Sequence, residues 1–128
     1  MAAPERAMRV LVVDDDQDLV DLMEMCLTTY QGWDVQAVTS GVEALRRCRD
    51  EAPDAVLLDV DMPELDGPGV LAALRADPDT CAVPVVFVTG AAEPDLNQRL
   101  CALGAAAVLS KPFDPRRIGA EVALILGW

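Results

Sequence analysis

Residues Val56-Leu57-Leu58-Asp59-Val60-Asp61-Met62-Pro63 read VLLDVDMP, an unbroken apolar run that ends in acid and then in proline. A strand half exposed to water alternates apolar and polar residues. Asp54–Leu58 does not alternate, so it reads as a strand covered on both faces, which is the habit of parallel sheets. The same cadence recurs along the chain. Arg9–Val13 (RVLVV) runs into Asp14-Asp15-Asp16, and Trp33–Val38 forms a second run. Pro84–Val88 (PVVFV) leads to Thr89-Gly90, and Ala106–Leu109 leads to Ser110-Lys111-Pro112.

Helical patterns fill the intervals. From Asp16 to Thr29, Leu19, Leu22, Met23, Cys26 and Leu27 share one face. Ser40-Gly41-Val42-Glu43 is a capping-box pattern opening a helix to about Asp50. A turn and a helix near Gly67–Ala76 follow the third strand, and EPDLNQRLCALG makes a fourth helix stopped by Gly104. Asp114-Pro115 pairs an N-cap with a proline at the first helical position, and Ile118, Val122 and Ile125 face inward from the last helix. Five β-then-α units imply a single α/β domain over residues 9–128, preceded by a short tail over residues 1–8. In open sheets of this class the site lies beyond the carboxyl ends of the strands. That edge gathers Asp14-Asp15-Asp16, Asp59 with Asp61, Thr89-Gly90 and Lys111-Pro112.

Composition narrows the chemistry. Apolar residues make up 52% of the 128, but only Phe87, Phe113, Trp33, Trp128 and Tyr30 are aromatic, so Val, Leu and Ala must carry the packing. A net charge of −12 disfavours nucleic acid and anionic membrane as partners. The absence of histidine removes His-ligated metals, Ser–His catalysis and phosphohistidine chemistry within this chain. Cys26, Cys48, Cys81 and Cys101 show no zinc spacing and read as buried, reduced thiols. No secretory signal or membrane-spanning run is evident, so the expected location is cytoplasmic.

Each acidic piece alone has a plain structural explanation, as a helix cap or a polar turn. Together these explanations strain. Two carboxylates about 4 Å apart repel by about 4 kcal/mol at an effective dielectric near 20. Asp14, Asp15 and Asp59 would repeat that penalty, and Lys111 brings one positive charge. A divalent cation closes the gap, and with hard oxygen ligands and no histidine Mg²⁺ is the natural choice. A carboxylate beside Mg²⁺, a hydroxyl and a lysine is a site for an aspartyl-phosphate intermediate. Asp59 would be the nucleophile, with Thr89 and Lys111 on the phosphoryl oxygens.

The elements VLVVDDD, VLLDVDMPELDG, PVVFVTG and SKPF, in this order and spacing, resemble the receiver domain of bacterial two-component response regulators. The resemblance runs from about Arg9 to the end. It implies a flavodoxin-like, doubly wound (βα)5 fold with a parallel sheet in the order 2-1-3-4-5. It implies that a histidine kinase or phosphotransfer protein gives a phosphoryl group to Asp59 in a Mg²⁺-dependent, self-catalysed reaction. Asp15 would bind the metal directly, Asp14 mainly through water, and Asp61 through its backbone carbonyl. Thr89 and Lys111 would form the switch, Gly90 would leave room for the phosphoryl group, and Lys111-Pro112 would be a cis peptide. Asp16 would remain a helix cap. Asp61 and Ala91 would flank the path of the water that removes the phosphoryl group.

Two departures stand out. The fifth-strand switch position, aromatic in much of the family, is Val108, and Gly104-Ala105-Ala106-Ala107 lacks the acids used in salt-bridged dimers. No output domain follows Trp128, so the expectation is a stand-alone receiver or a piece of a longer protein. The runner-up is a haloacid-dehalogenase-type phosphatase, whose Asp-x-Asp motif Asp59-Val60-Asp61 imitates. That family has Thr or Val where Pro63 stands, and takes its acidic metal ligands after the lysine. A flavodoxin-like cofactor carrier would need a Ser/Thr/Gly-rich phosphate loop where Asp14–Asp16 stand.

Overall fold

In the computed structural model, which describes residues 7–90 and 93–128, the apolar runs form one parallel sheet in the order β2-β1-β3-β4-β5. The strands are β1 (Arg9–Val13), β2 (Asp34–Val38), β3 (Ala55–Leu58), β4 (Val85–Thr89) and β5 (Ala107–Ser110). The helices are α1 (Gln17–Gln31), α2 (Gly41–Glu51), α3 (Gly67–Ala76), α4 (Pro94–Ala102) and α5 (Ile118–Leu126). The expected order and five-unit plan are those observed.

Alternation along the strands sends successive side chains to opposite faces, and both faces are covered. Leu11, Val13, Val56, Leu58, Val85 and Phe87 pack with Ala44, Cys48, Val70, Leu71, Leu74 and Leu100 beneath α2, α3 and α4. Val10, Val12, Leu57, Val86 and Val88 meet Val20, Met23 and Leu27 of α1 and Ile118 and Val122 of α5. Full burial of each such side chain is worth about 1.5–3 kcal/mol, which is how a core with few rings holds the sheet.

Caps set the helix starts. Asp16 accepts from the N–H groups of Asp18 and Leu19, Ser40 from Glu43, and Asp66 from Gly69. Gly32, in the left-handed region at φ 68, ends α1.

Some boundaries and faces differ from expectation. Asp114 does cap a turn, accepting from Arg116 N–H at 2.9 Å, but α5 proper begins at Ile118. Pro115 therefore lies in that turn and not at the first position of the helix. Ile118 and Val122 are buried as expected, whereas Ile125 is exposed, because the inward stripe of α5 continues through Ala123 and Leu126 and Ile125 lies beside it. Cys26 and Cys48 are buried, but Cys81 lies exposed in the turn before β4 and Cys101 on the outer side of α4. Burial pushes the Cys48 thiol up to about 11, which keeps it protonated and unreactive. On α1, Leu19 and Leu22 are only half-buried, lining a groove with Pro112, Phe113 and Pro115.

Candidate functional site

Strand register brings the acidic tips together. Val13 of β1 pairs with Leu58 of β3, so Asp14 and Asp59 leave the sheet side by side. The ladder continues one step into the tips, where Asp59 N–H donates to Val13 C=O at 2.9 Å and Asp14 N–H to Val38 C=O at 3.3 Å. Across the sheet Thr89 pairs with Ser110, and Lys111 N–H donates to Thr89 C=O at 2.9 Å. Ladder hydrogen bonds at the strand ends thus set the backbone positions of Asp14, Asp59, Thr89 and Lys111.

Asp14, Asp59 and Thr89 are buried, while Asp15 is exposed at the rim. Oxygens of Asp14, Asp15 and Asp59 lie within 4.8 Å of one another, a spacing that one cation can span. Lys111 reaches in from the β5 side, its Nζ 2.6 Å from Asp14 Oδ2 and 3.4 Å from Asp59 Oδ1. The other Asp14 oxygen accepts from Asp16 N–H at 3.0 Å, which holds the carboxylate in place. The Lys111–Pro112 peptide is cis.

Burial pushes the Asp59 carboxyl above the usual carboxylate range, and the negative charge of Asp14 adds to this; Lys111 and the Val60 N–H oppose it. Burial pulls the Lys111 ammonium down, but its contacts with Asp14 and Asp59 outweigh that and hold it above the ordinary lysine value. The tip is thus short of positive charge. Three carboxylates face one lysine.

The segment after β3 contributes more than a polar turn. Val60 and Met62 are buried in the core, and Glu64 takes the left-handed conformation at φ 68. Asp61 is exposed and, with Asp15, Met62, Pro63 and Asp66, lines an open basin of about 360 Å³ on the outer side of the carboxylates. Gly67 closes the segment by donating to Val60 C=O at 2.8 Å. A Cβ at Gly67 would stand 2.2 Å from the Asp59 carbonyl oxygen and 2.8 Å from Phe87 Cε1, so only glycine fits beneath the acceptor. Sequence reasoning passed over this residue and over Asp66 as a cap. The Asp-Gly-Pro order at 66–68 was the available signal.

Gly90 is exposed, and a Cβ there would meet nothing within 4 Å, consistent with open space beside Thr89. Val108 is half-buried against the core and pairs with Phe87, away from the carboxylates. Ala91 lies outside the described residues.

The family model for the response regulator receiver domain matches residues 10–123. The chain belongs to that family. Its sequence is 41% identical over 121 residues to the transcriptional regulatory protein PrrA of Mycobacterium tuberculosis, covering 92% of this chain and 49% of that protein. It is 36% identical over 118 residues to the alkaline phosphatase synthesis transcriptional regulatory protein PhoP of Bacillus subtilis, covering 92% and 48%. This receiver chain therefore spans about half the length of the curated relatives it matches. Its fold superposes on the chemotaxis response regulator CheY4 of Vibrio cholerae with a TM-score of 0.87 at 27% identity, over 94% of this chain and 99% of that one. The BeF₃-activated DrrB receiver domain gives 0.80 at 25% identity, over 96% and 100%. Membership selects the receiver over both the phosphatase and the cofactor carrier. Receiver domains are generally not enzymes in the ordinary sense, and among the described residues no helix is long and apolar enough to cross a membrane.

Proposed function

We propose that this receiver accepts a phosphoryl group on Asp59 from a phosphorylated histidine of a kinase or phosphotransfer protein, and that residues 9–128 are its working unit. The observation that supports this most is the buried Asp59 carboxylate, with Lys111 Nζ at 3.4 Å and two further carboxylates beside it. An acceptor needs a fixed nucleophile and a positive group next to it, and this edge supplies both.

The donor set suits a hard divalent cation. It offers three carboxylates and no nitrogen or sulfur, and the exposed Asp15 leaves room for retained water. Asp15 would hold Mg²⁺ directly, with Asp59 and the Asp61 carbonyl. Asp14, whose two oxygens already accept from Lys111 and from Asp16 N–H, would act mainly through water. When bound, Mg²⁺ supplies charge neutralisation for the transferring phosphoryl oxygens.

In the transfer, an Asp59 carboxylate oxygen forms the new P–O bond as the P–N bond to the donor imidazole breaks, its electron pair leaving with the imidazole nitrogen. Lys111, released in part from Asp59, turns its ammonium toward the phosphoryl oxygens, and the Thr89 hydroxyl donates to another. The space beside Gly90 accommodates the group. Hydrolysis returns Asp59 as carboxylate and releases inorganic phosphate, with Asp61 at the rim of the water path. The chain's own residues carry out both steps, so a small donor such as acetyl phosphate suffices. A cytoplasmic setting suits the reduced thiols and a kinase partner.

Acetyl phosphate with Mg²⁺ should add one phosphoryl mass per chain, and chelation or Asp15→Ala should abolish the gain. Labelling that persists in the chelated sample would refute the metal-dependent reading.

A further inference from the structure

Helix α4 is seated less firmly than its neighbours. Asp16, Ser40 and Asp66 cap α1, α2 and α3 with side-chain hydrogen bonds, whereas Glu93 at the start of α4, like Arg117 at the start of α5, makes no side-chain cap bond. Leu100 is the one buried residue of α4, with Leu96 packed half-buried against the same core cluster. One turn before Leu100, the side-chain oxygen of Asn97 is buried, and no described residue donates a hydrogen bond to it.

A buried acceptor without a donor loses its water and gains nothing in return, whereas an apolar group of similar size in that place carries no such penalty. Native folds hold few such groups, and each asks for a cause. Asn is also a weak helix former, so local propensity does not explain its place inside α4. The helix follows β4, whose last residue is Thr89, across a connection of four residues from Gly90 to Glu93. In sequence, α4 thus begins five residues after Thr89.

We infer that Asn97 is a positioning residue of the switch: its amide oxygen destabilises the resting seat of α4 and finds a donor when the helix shifts. This inference rests on the proposed phosphoryl acceptance at Asp59. The helix is then biased to move before any phosphoryl group arrives. A ligand that binds the shifted state has its apparent affinity scaled by the fraction of chains already in that state. Relieving the resting-state penalty lowers that fraction, so it stabilises the resting chain and weakens the ligand together.

The test compares the wild-type chain with Asn97→Leu, and with Asn97→Ala as the variant free of any overpacking. Three quantities are read: the thermal midpoint without ligand, amide hydrogen exchange along α4, and the affinity for beryllofluoride in the presence of Mg²⁺. Both variants should exchange more slowly along α4, Asn97→Leu should melt higher, and both should bind beryllofluoride about five-fold or more weakly. Slower exchange with unchanged beryllofluoride affinity would overturn the inference, because the penalty would then be equal in both states. Faster exchange in both variants would also overturn it, by showing that the oxygen has a donor at rest. Failure of the wild-type chain to bind beryllofluoride at all would refute the function proposed for Asp59, and the inference with it, whatever the exchange data show.

Discussion

Lys111→Met removes the positive charge at the sheet edge while keeping most of the side-chain stem. Without divalent cation it leaves the buried Asp14 and Asp59 facing each other. At an effective dielectric near 20, the Lys111 contacts at 2.6 Å and 3.4 Å correspond to gross attractions of about 6 and about 5 kcal/mol. Desolvation of the three groups cancels most of this, and breaking one side of a buried pair typically costs about 3–5 kcal/mol. The Lys111 side chain is 24% exposed, so water replaces part of what is lost, and the expected destabilisation is about 2–4 kcal/mol. For a chain of this length that corresponds to a fall of about 10 °C in Tm. The penalty has a pH signature. The Asp59 carboxyl is already above the usual carboxylate range, through burial and then Asp14, and losing Lys111 raises it further. The deficit is therefore full at neutral pH and shrinks as pH falls through that raised value and Asp59 takes up its proton. At the alkaline end, wild type loses the Lys111 contribution only as pH rises through its raised ammonium value, so the two proteins converge there as well. Urea denaturation at several pH values, with and without Mg²⁺, measures all of this. A loss below about 1 kcal/mol at pH 7, or one that does not change with pH, would refute the charge argument.

Asp59→Asn should be more stable than wild type by about 1 kcal/mol at pH 7 without metal, because ionising a carboxyl that is raised by burial costs the folded state. The advantage should vanish below about pH 4, where wild-type Asp59 is protonated in both states, and denaturant midpoints across that range decide it. Gly67→Ala should cost about 3 kcal/mol or more, since the new methyl meets the Asp59 carbonyl oxygen and the Phe87 ring; a loss below about 0.5 kcal/mol in the same assay would show that the turn yields freely. Beryllofluoride with Mg²⁺ should leave the chain's sedimentation nearly unchanged, because Val108 carries no ring to reposition and Ala105–Ala107 offers no charge for a salt-bridged dimer. A strong shift to dimer would show that another surface suffices.

The sheet was legible because β1, β3, β4 and β5 are near-continuous apolar runs that end in polar residues at the site edge, while β2, an edge strand, is broken by Gln36. Fully buried β3 and β4 announced themselves in this way. Helix starts were legible where a side chain caps, as at Ser40 and Asp16, and less so at α5. There Asp114 caps a turn, and the helix that the Asp-Pro pair suggested begins only at Ile118. Inward faces were readable along their centre line and misread at the margin, where Ile125 stands beside the stripe that Val122 and Leu126 carry into the core. The grouping of Asp14, Asp15, Asp59 and Lys111 followed from charge and topology together, since a parallel sheet sends every strand tip to one edge. What periodicity could not show is contact between segments remote in sequence. Trp33 and Trp128 meet edge to face at 5.2 Å although most of the chain lies between them, and no local pattern encodes that. The steric demand on Gly67 and the missing donor at Asn97 are likewise properties of packing, visible only once neighbours are in place.

The central claim is that the Asp59 carboxylate forms the bond to phosphorus. Borohydride reduces an acyl phosphate to the alcohol, which converts a phosphorylated aspartate to homoserine and leaves free carboxylates untouched. After treatment with acetyl phosphate and Mg²⁺, reduction and peptide sequencing by mass spectrometry should find homoserine at position 59, with Asp14, Asp15 and Asp61 intact. Homoserine at any of those three with Asp59 unmodified would contradict the account.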